Sequence, residues 1–248
     1  MRDEELIDIL HHPAVEWSRY HLAEALAHYF RLRVHGVKRL PSTGPAIVIA
    51  NHSGFAGLDA IMICHLLRKY AKRSYKMVAH RAYFDLFQAL RVVARAVGFT
   101  EAKLAKVQEA LEQDELLLMF PEGELGNFKS SWQRYQLRPF HTGFLRLALA
   151  TGAPIIPCLV VGAEESNFNL GNINLSKFID HLVVPIPLNV VPLPARWSIE
   201  FLPPIDLGDV SPKLINDRDW IQEKTLEIQS AMQRKLTKKV RARRSIYL

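Results

Sequence analysis

The chain has 248 residues and a mass of 28.3 kDa, and 32 Lys and Arg against 25 Asp and Glu give it a net charge of +7. Hydrophobic residues make up 49% and charged ones 23%, which excludes a disordered chain, and a mean hydropathy of about zero excludes a polytopic membrane protein. The length suits a single domain with a sizeable core, and the basic balance asks for an anionic partner: nucleic acid, a phosphorylated metabolite or a lipid surface.

The N-terminus (MRDEELIDILHHPAVEW) is acidic early and has no continuous apolar run, so it does not read as a secretory signal. Leu22, Ala25, Leu26, Tyr29 and Phe30 recur at helical spacing and predict an N-terminal amphipathic helix within residues 1–33. A buried strand follows at Ala46–Ala50, then the loop Asn51–Asp59 and a helix from about Leu58 to Lys72. Tyr75–Ala79 reads as a strand, Tyr83–Val97 as a helix, and Leu104, Val107 and Leu111 mark one face of the next helix. Leu116–Phe120 is a strand leading into a glycine-containing loop. Thr142–Thr151 is a helix with Gly152 as its C-cap, and Pro154–Val161 is a buried strand. Trp197–Leu202 is a further strand and Asp217–Arg241 a long amphipathic helix within residues 211–248. Alternating strands and helices predict an α/β domain with a mostly parallel central sheet flanked by helices, and amphipathic helices at both termini. Leu145–Ala163 and Leu182–Ala195 are greasy but broken by prolines, so no membrane-spanning helix is expected. Cys64 and Cys158, far apart, make no disulfide framework and suit a reducing compartment.

In such sheets the loops leaving strand C-termini carry the chemistry. The first, Asn51-His52-Ser53-Gly54-Phe55-Ala56-Gly57-Leu58-Asp59, sets a histidine directly after a buried strand. Histidine is suited to take a proton from a hydroxyl, and a carboxylate such as Asp59 could fix its tautomer if the glycines fold the loop back. The alternative is a plain helix N-terminus with Asp59 in the first turn. No nucleophile-elbow or H-E-x-x-H pattern is present, and no metal is called for. The second loop, Phe120-Pro121-Glu122-Gly123-Glu124-Leu125-Gly126-Asn127-Phe128-Lys129, ends a strand in glycines, carboxylates and then Lys129, Arg134 and Arg138. Such a loop can hold an anion, or be a solvated surface turn.

Taken together, the two loops resemble the glycerolipid acyltransferase family. Its N-H…D block is matched by Asn51-His52 with Asp59, its F-P-E-G block by Phe120-Pro121-Glu122-Gly123, and its proline-bearing strand by Ala153-Pro154-Ile155-Ile156-Pro157 leading to Val161-Gly162-Ala163-Glu164-Glu165. The resemblance assigns residues 34–210 to an acyltransferase domain. Two departures stand out. Six residues separate His52 from Asp59, a longer loop that is similar to the monoacylglycerol- and diacylglycerol-acyltransferase-like branch, with Gly57 where the family's aspartate usually falls. The arginine the family uses to grip a phosphate has no counterpart in Gly98-Phe99-Thr100-Glu101, leaving Lys129 or Lys103 to compensate.

The resemblance implies an acyltransferase moving a fatty acyl group from acyl-CoA or acyl-carrier protein to a hydroxyl of lysophosphatidate, another lysophospholipid or a mono- or diacylglycerol. His52 would be the general base and Asp59 its partner, with Asn51, Ser53, Gly54, Pro121, Glu122, Gly123, Lys129 and Pro157 shaping the substrate site. Backbone donors near Gly54 or Gly123 would hold the oxyanion. It requires no cofactor beyond the donor substrate and places the chain in the cytoplasm, on the inner face of a membrane. Seven basic residues between Arg234 and Arg244 form either a solvated tail or an anchor to anionic lipid. The proline-rich segment Leu182–Ala195 is a hydrophobic lip, an acyl-groove cover or a buried loop. The rival reading is a nucleic-acid-binding module, in which Phe128, Trp132, Tyr135 and Phe140 interleave with cations to stack bases, although no nucleic-acid fold signature accompanies them; a catalytically inactive lipid-binding module is a third.

Overall fold

A computed structural model describes residues 8–53, 57–79, 98–101, 104–174, 183–207 and 210–247. The expected helix over 83–97, Gly54 and Lys103 lie outside the described residues. The strands are β1 (Arg33–His35), β2 (Ala46–Ala50), β3 (Tyr75–Ala79), β4 (Phe99–Glu101), β5 (Leu116–Met119), β6 (Ile155–Val161), β7 (Asn169–Asn174), β8 (Val183–Pro187) and β9 (Ser198–Phe201). Seven of them form one sheet in the order β1-β9-β6-β2-β5-β3-β4, parallel throughout except where β9 runs against β6. The helices are α1 (Pro13–Tyr29), α2 (Leu58–Leu66, continued by a π turn to Ala71), α3 (Leu104–Glu112), α4 (Glu124–Asn127), α5 (Gly143–Thr151), α6 (Ala163–Ser166) and α7 (Arg218–Arg241).

The all-apolar run of β2 is explained by cover on both faces. Successive strand residues point to opposite sides. Val48, Leu116, Leu118, Ile156, Cys158 and Val160 thus join one core with Met62 and Ile63 of α2, and with Phe30 and Trp197, whose rings stack 4.4 Å apart. Ile47, Ile49, Leu117, Ile155, Leu159 and Val161 meet α3, α5 and α7 on the other face. From α7 the buried residues are Ile221, Thr225, Ile228, Met232 and Leu236, the predicted stripe. Gly152 takes a left-handed φ of 69° at the end of α5, as a C-cap glycine should.

Three expectations are corrected. The predicted face of α1 does not bury as a unit: Phe30 is fully buried and Leu26 packs on the core, but Leu22 stays 63% exposed. Polar contacts help hold α1 instead: Glu24 pairs with Lys69 and hydrogen-bonds His65, and Glu16 pairs with Arg68. The basic C-terminus is not a free tail. Arg243 grips Glu165, Lys239 grips Glu200, and the chain turns back so that Ile246 accepts from the Arg196 amide. Leu182–Ala195 is not a buried loop. It contributes β8 to an antiparallel hairpin with β7, outside the main sheet, and Val190 and Val191 lie exposed behind it. Among the described residues, no helix is long and apolar enough to cross a membrane.

Candidate active site

His52 leaves the C-terminal end of β2, and Gly57, at φ 65°, turns the chain into α2. An L side chain rarely adopts that backbone, so the partner of the histidine comes from farther along, in the first turn of the helix. There Asp59 sets Oδ2 2.7 Å from His52 Nδ1. Asp59 is fully buried, and its carboxylate also accepts the amides of Ser53 (2.7 Å) and Ala60 (2.8 Å). These bonds lock the carboxylate at a helix N-terminus, a favourable place for negative charge, and fix the imidazole through it. The six intervening residues therefore still bring Asp59 onto the imidazole. The histidine ring lies on Phe120, centroids 4.0 Å apart and planes 24° from parallel.

The F-P-E-G loop braces this arrangement. Glu122 is fully buried; Oε1 accepts the His52 amide at 3.0 Å, and Oε2 accepts the Arg138 amide at 2.7 Å and the Lys129 ammonium at 3.2 Å. Gly126 lets the two loops touch. A methyl group there would lie 2.5 Å from Glu122 Cβ and 3.1 Å from His52 Cβ. Lys129 is enclosed between Glu122 and Glu164, which lies 3.0 Å away. Burial works against the lysine's charge, but the two carboxylates outweigh it and hold its pKa above the ordinary lysine value. Burial pushes the Glu164 carboxyl up, with Lys129 opposing.

Of the residues expected to meet substrate, several serve the scaffold. Asn51 is fully buried and exchanges two hydrogen bonds with the backbone of Val160, its Nδ2 donating to the carbonyl and its Oδ1 accepting from the amide. This stitches the ends of β2 and β6. Ser53 and Pro121 are buried, and Pro157 lies inside β6 opposite Ile49. The Gly123 amide donates to Phe120 O and so is already engaged, contrary to the expected oxyanion role. Tyr135 and Phe140 are buried and Phe128 is half-buried, so the aromatic strip proposed for stacking bases is broken; of the four, Trp132 stands out, 81% exposed.

Sequence reasoning missed two partners. Glu164 accepts the Tyr135 amide, and Glu165 accepts the Tyr135 hydroxyl and a bidentate Arg243. Adjacent carboxylates closing a wholly apolar strand were the available signal, since buried charge demands a partner. Burial, then the charge of Glu165, pushes the Tyr135 hydroxyl well above its usual value.

Residues 31–161, from the start of β1's approach to the end of β6, match the family model described as Acyltransferase. The chain belongs to the acyltransferase family. Uncharacterized proteins of Mycobacterium bovis and Mycobacterium tuberculosis are each 32% identical over 231 residues, covering 88% of this chain. A counterpart from Mycobacterium leprae is equally similar. The chain spans 64% of the length of the first two relatives. Among solved structures, the fold is similar to that of the 1-acyl-sn-glycerophosphate (LPA) acyltransferase PlsC from Thermotoga maritima. The TM-score is 0.55 at 17% identity, over 93% of this chain and 84% of the other.

Proposed function

We propose that this acyltransferase moves a fatty acyl group from an acyl-CoA or acyl-carrier-protein thioester to a hydroxyl of a glycerolipid acceptor. The observation that carries the reading is the 2.7 Å bond between His52 Nδ1 and buried Asp59. In this reading the bond leaves Nε2 of the imidazole to act as the base, at the C-terminal end of the central strand β2. His52 takes the hydroxyl proton, the oxygen attacks the thioester carbonyl, the carbon–sulfur bond breaks, and the imidazolium protonates the departing thiolate. Asp59 holds the tautomer and balances the positive charge. Residues 34–210 form the acyltransferase domain in this reading, flanked by segments 1–33 and 211–248, which carry α1 and α7. The enzyme works in the cytoplasm on the inner face of an anionic membrane.

Lys129 bears on the acceptor. Its ammonium is taken up by Glu122 and Glu164, so it is a brace for the F-P-E-G loop and not a grip for a substrate phosphate. That favours a neutral glyceride hydroxyl or a phosphate held by other cations, such as Arg138 beside the same loop. The test is thiol release from one acyl-CoA across a panel of lysophosphatidate, lysophospholipid and mono- and diacylglycerol acceptors, with wild type and His52→Ala. Acceptor-dependent release that vanishes in folded His52→Ala is expected. Full activity in that variant would overturn the assignment.

A further inference from the structure

The β7–β8 hairpin and the segment behind it display apolar side chains outwards: Leu170 (51% exposed), Ile186 (41%), Leu188 (68%), Val190 (74%), Val191 (76%) and Leu193 (37%). Scattered exposed leucines need no explanation, but five exposed apolar residues within the eight positions 186–193 do. The backbone beneath them has a second, independent property. The carbonyls of Asn189 and Val190 accept from Asn167 Nδ2, that of Val191 from Asn189 Nδ2, and that of Pro192 from the Tyr29 hydroxyl. Leu193 O accepts the Ala195 amide and Pro194 O the Arg31 guanidinium. Prolines 185, 187, 192 and 194 have no N–H to satisfy. The amides of Ile186, Leu188 and Leu193 donate to Asn169 Oδ1, Phe168 O and Ser166 O.

Apolar side chains on a backbone whose carbonyls, from Asn189 to Pro194, are all met internally are suited to the interface of a medium that offers few hydrogen-bond donors. A protein that paired with this segment as an added strand would need the same carbonyls, which are already engaged. The charge fits as well. From residue 181 to 199 the sequence holds no Asp or Glu, and Arg31 and Arg244 stand exposed where the C-terminus folds back beside it.

We propose that this hairpin is a lip that enters the interface of an anionic lipid bilayer and sets the acceptor loop against it. The lip is sewn to that loop: Asn169 Nδ2 donates to the carbonyls of Phe128 and Lys129, and its amide donates to Ser131 Oγ, next to the exposed Trp132. Aromatic side chains of that kind favour the membrane–water boundary. The inference rests on the proposed glycerolipid acceptor only in saying why docking helps: the acceptor reaches His52 from the bilayer without crossing water.

The test is co-sedimentation with phosphatidylcholine vesicles containing phosphatidylglycerol, for wild type and Val190→Asp/Val191→Asp. Activity is read in parallel on acceptor embedded in the vesicles and on a short-chain acceptor dispersed as monomers. Both substituted positions are exposed, so the variant should fold; an unchanged thermal midpoint confirms it. Vesicle binding should fall about tenfold or more, with loss of activity on embedded acceptor and retention on the monomeric one. Wild type that fails to bind, or a variant that binds as wild type does, overturns the proposal. So does a wild-type dimer that the substitutions split while vesicle binding persists, which would assign the lip to a second copy of this chain. If neither protein transfers acyl groups to any acceptor, the functional reading fails, while the binding measurement still judges the lip.

Discussion

Lys129 holds its ammonium 3.0 Å from Glu164 and 3.2 Å from Glu122, with only 2% of its side chain exposed. A cation placed between two buried carboxylates cannot be removed without leaving like charges facing each other. It therefore connects the F-P-E-G loop, and through Glu122 the His52 amide, to α6 just beyond the end of β6.

Lys129→Met should cost about 3–5 kcal/mol in urea unfolding, the usual penalty for breaking a buried pair. Adding Glu164→Gln removes one of the stranded charges and should restore part of that stability. Additive losses in the double variant would show that the two residues do not share a charge balance.

Gly126→Ala tests the contact between loops. The new methyl would collide with Glu122 Cβ and press on His52 Cβ. A shift of the histidine by a fraction of an ångström should lower kcat/KM about 100-fold while the thermal midpoint moves by a few degrees. Unimpaired kinetics would mean that His52 is not held by this contact.

Asp59→Asn keeps the size of the side chain and removes its charge. With the tautomer no longer fixed, kcat should drop roughly 10²- to 10⁴-fold and KM should change little. Steady-state kinetics on the acceptor found by the panel would measure the split; a pure KM effect would move Asp59 from positioning the base to binding substrate.

Stability should decline above pH 9. Burial pushes the Cys64 thiol from 9.0 up to about 12, and raises Cys158, Tyr75 and Tyr135 as well. Each is neutral in the fold but ionises in the unfolded chain, so its contribution is complete below its unfolded pKa and lost as pH rises towards the folded one. The slope approaches about 1.4 kcal/mol per pH unit for each group once the unfolded form is ionised. Urea midpoints between pH 8 and 11 give the measurement; a flat profile contradicts the burial of these groups.

Cations at the end of α7 should differ sharply. Arg243→Met strands Glu165, which it holds at 2.5 and 2.9 Å, and should cost several kcal/mol, about 3–5. Arg241→Met and Lys238→Met, at exposed positions, should stay within about 0.5 kcal/mol. Equal thermal shifts in all three would deny Arg243 its place in the body of the protein.

Strands β2, β3, β5, β6 and β9, most of the described helices and the pairing of His52 with Asp59, but not the short strands β1 and β4 or the β7–β8 pair, were legible in the linear order of residues. Those features depend on short-range periodicity, on proline and glycine, and on a histidine and aspartate seven positions apart. The fates of the polar residues were not. Asn51 closes on Val160 across 109 positions and Arg243 on Glu165 across 78, and spacing says nothing about such partners. Whether Leu182–Ala195 is buried or displayed was equally hidden, because apolar composition is the same in both cases. The tertiary structure decides it: the two faces of the main sheet are already covered by helices, so the hairpin packs instead on the loop that follows β5 and on the residues that follow β6, with Val190 and Val191 outward. Local patterning thus determined much of the scaffold and the pairing of His52 with Asp59, while long-range burial decided which charges brace that pair and which apolar surface stays exposed.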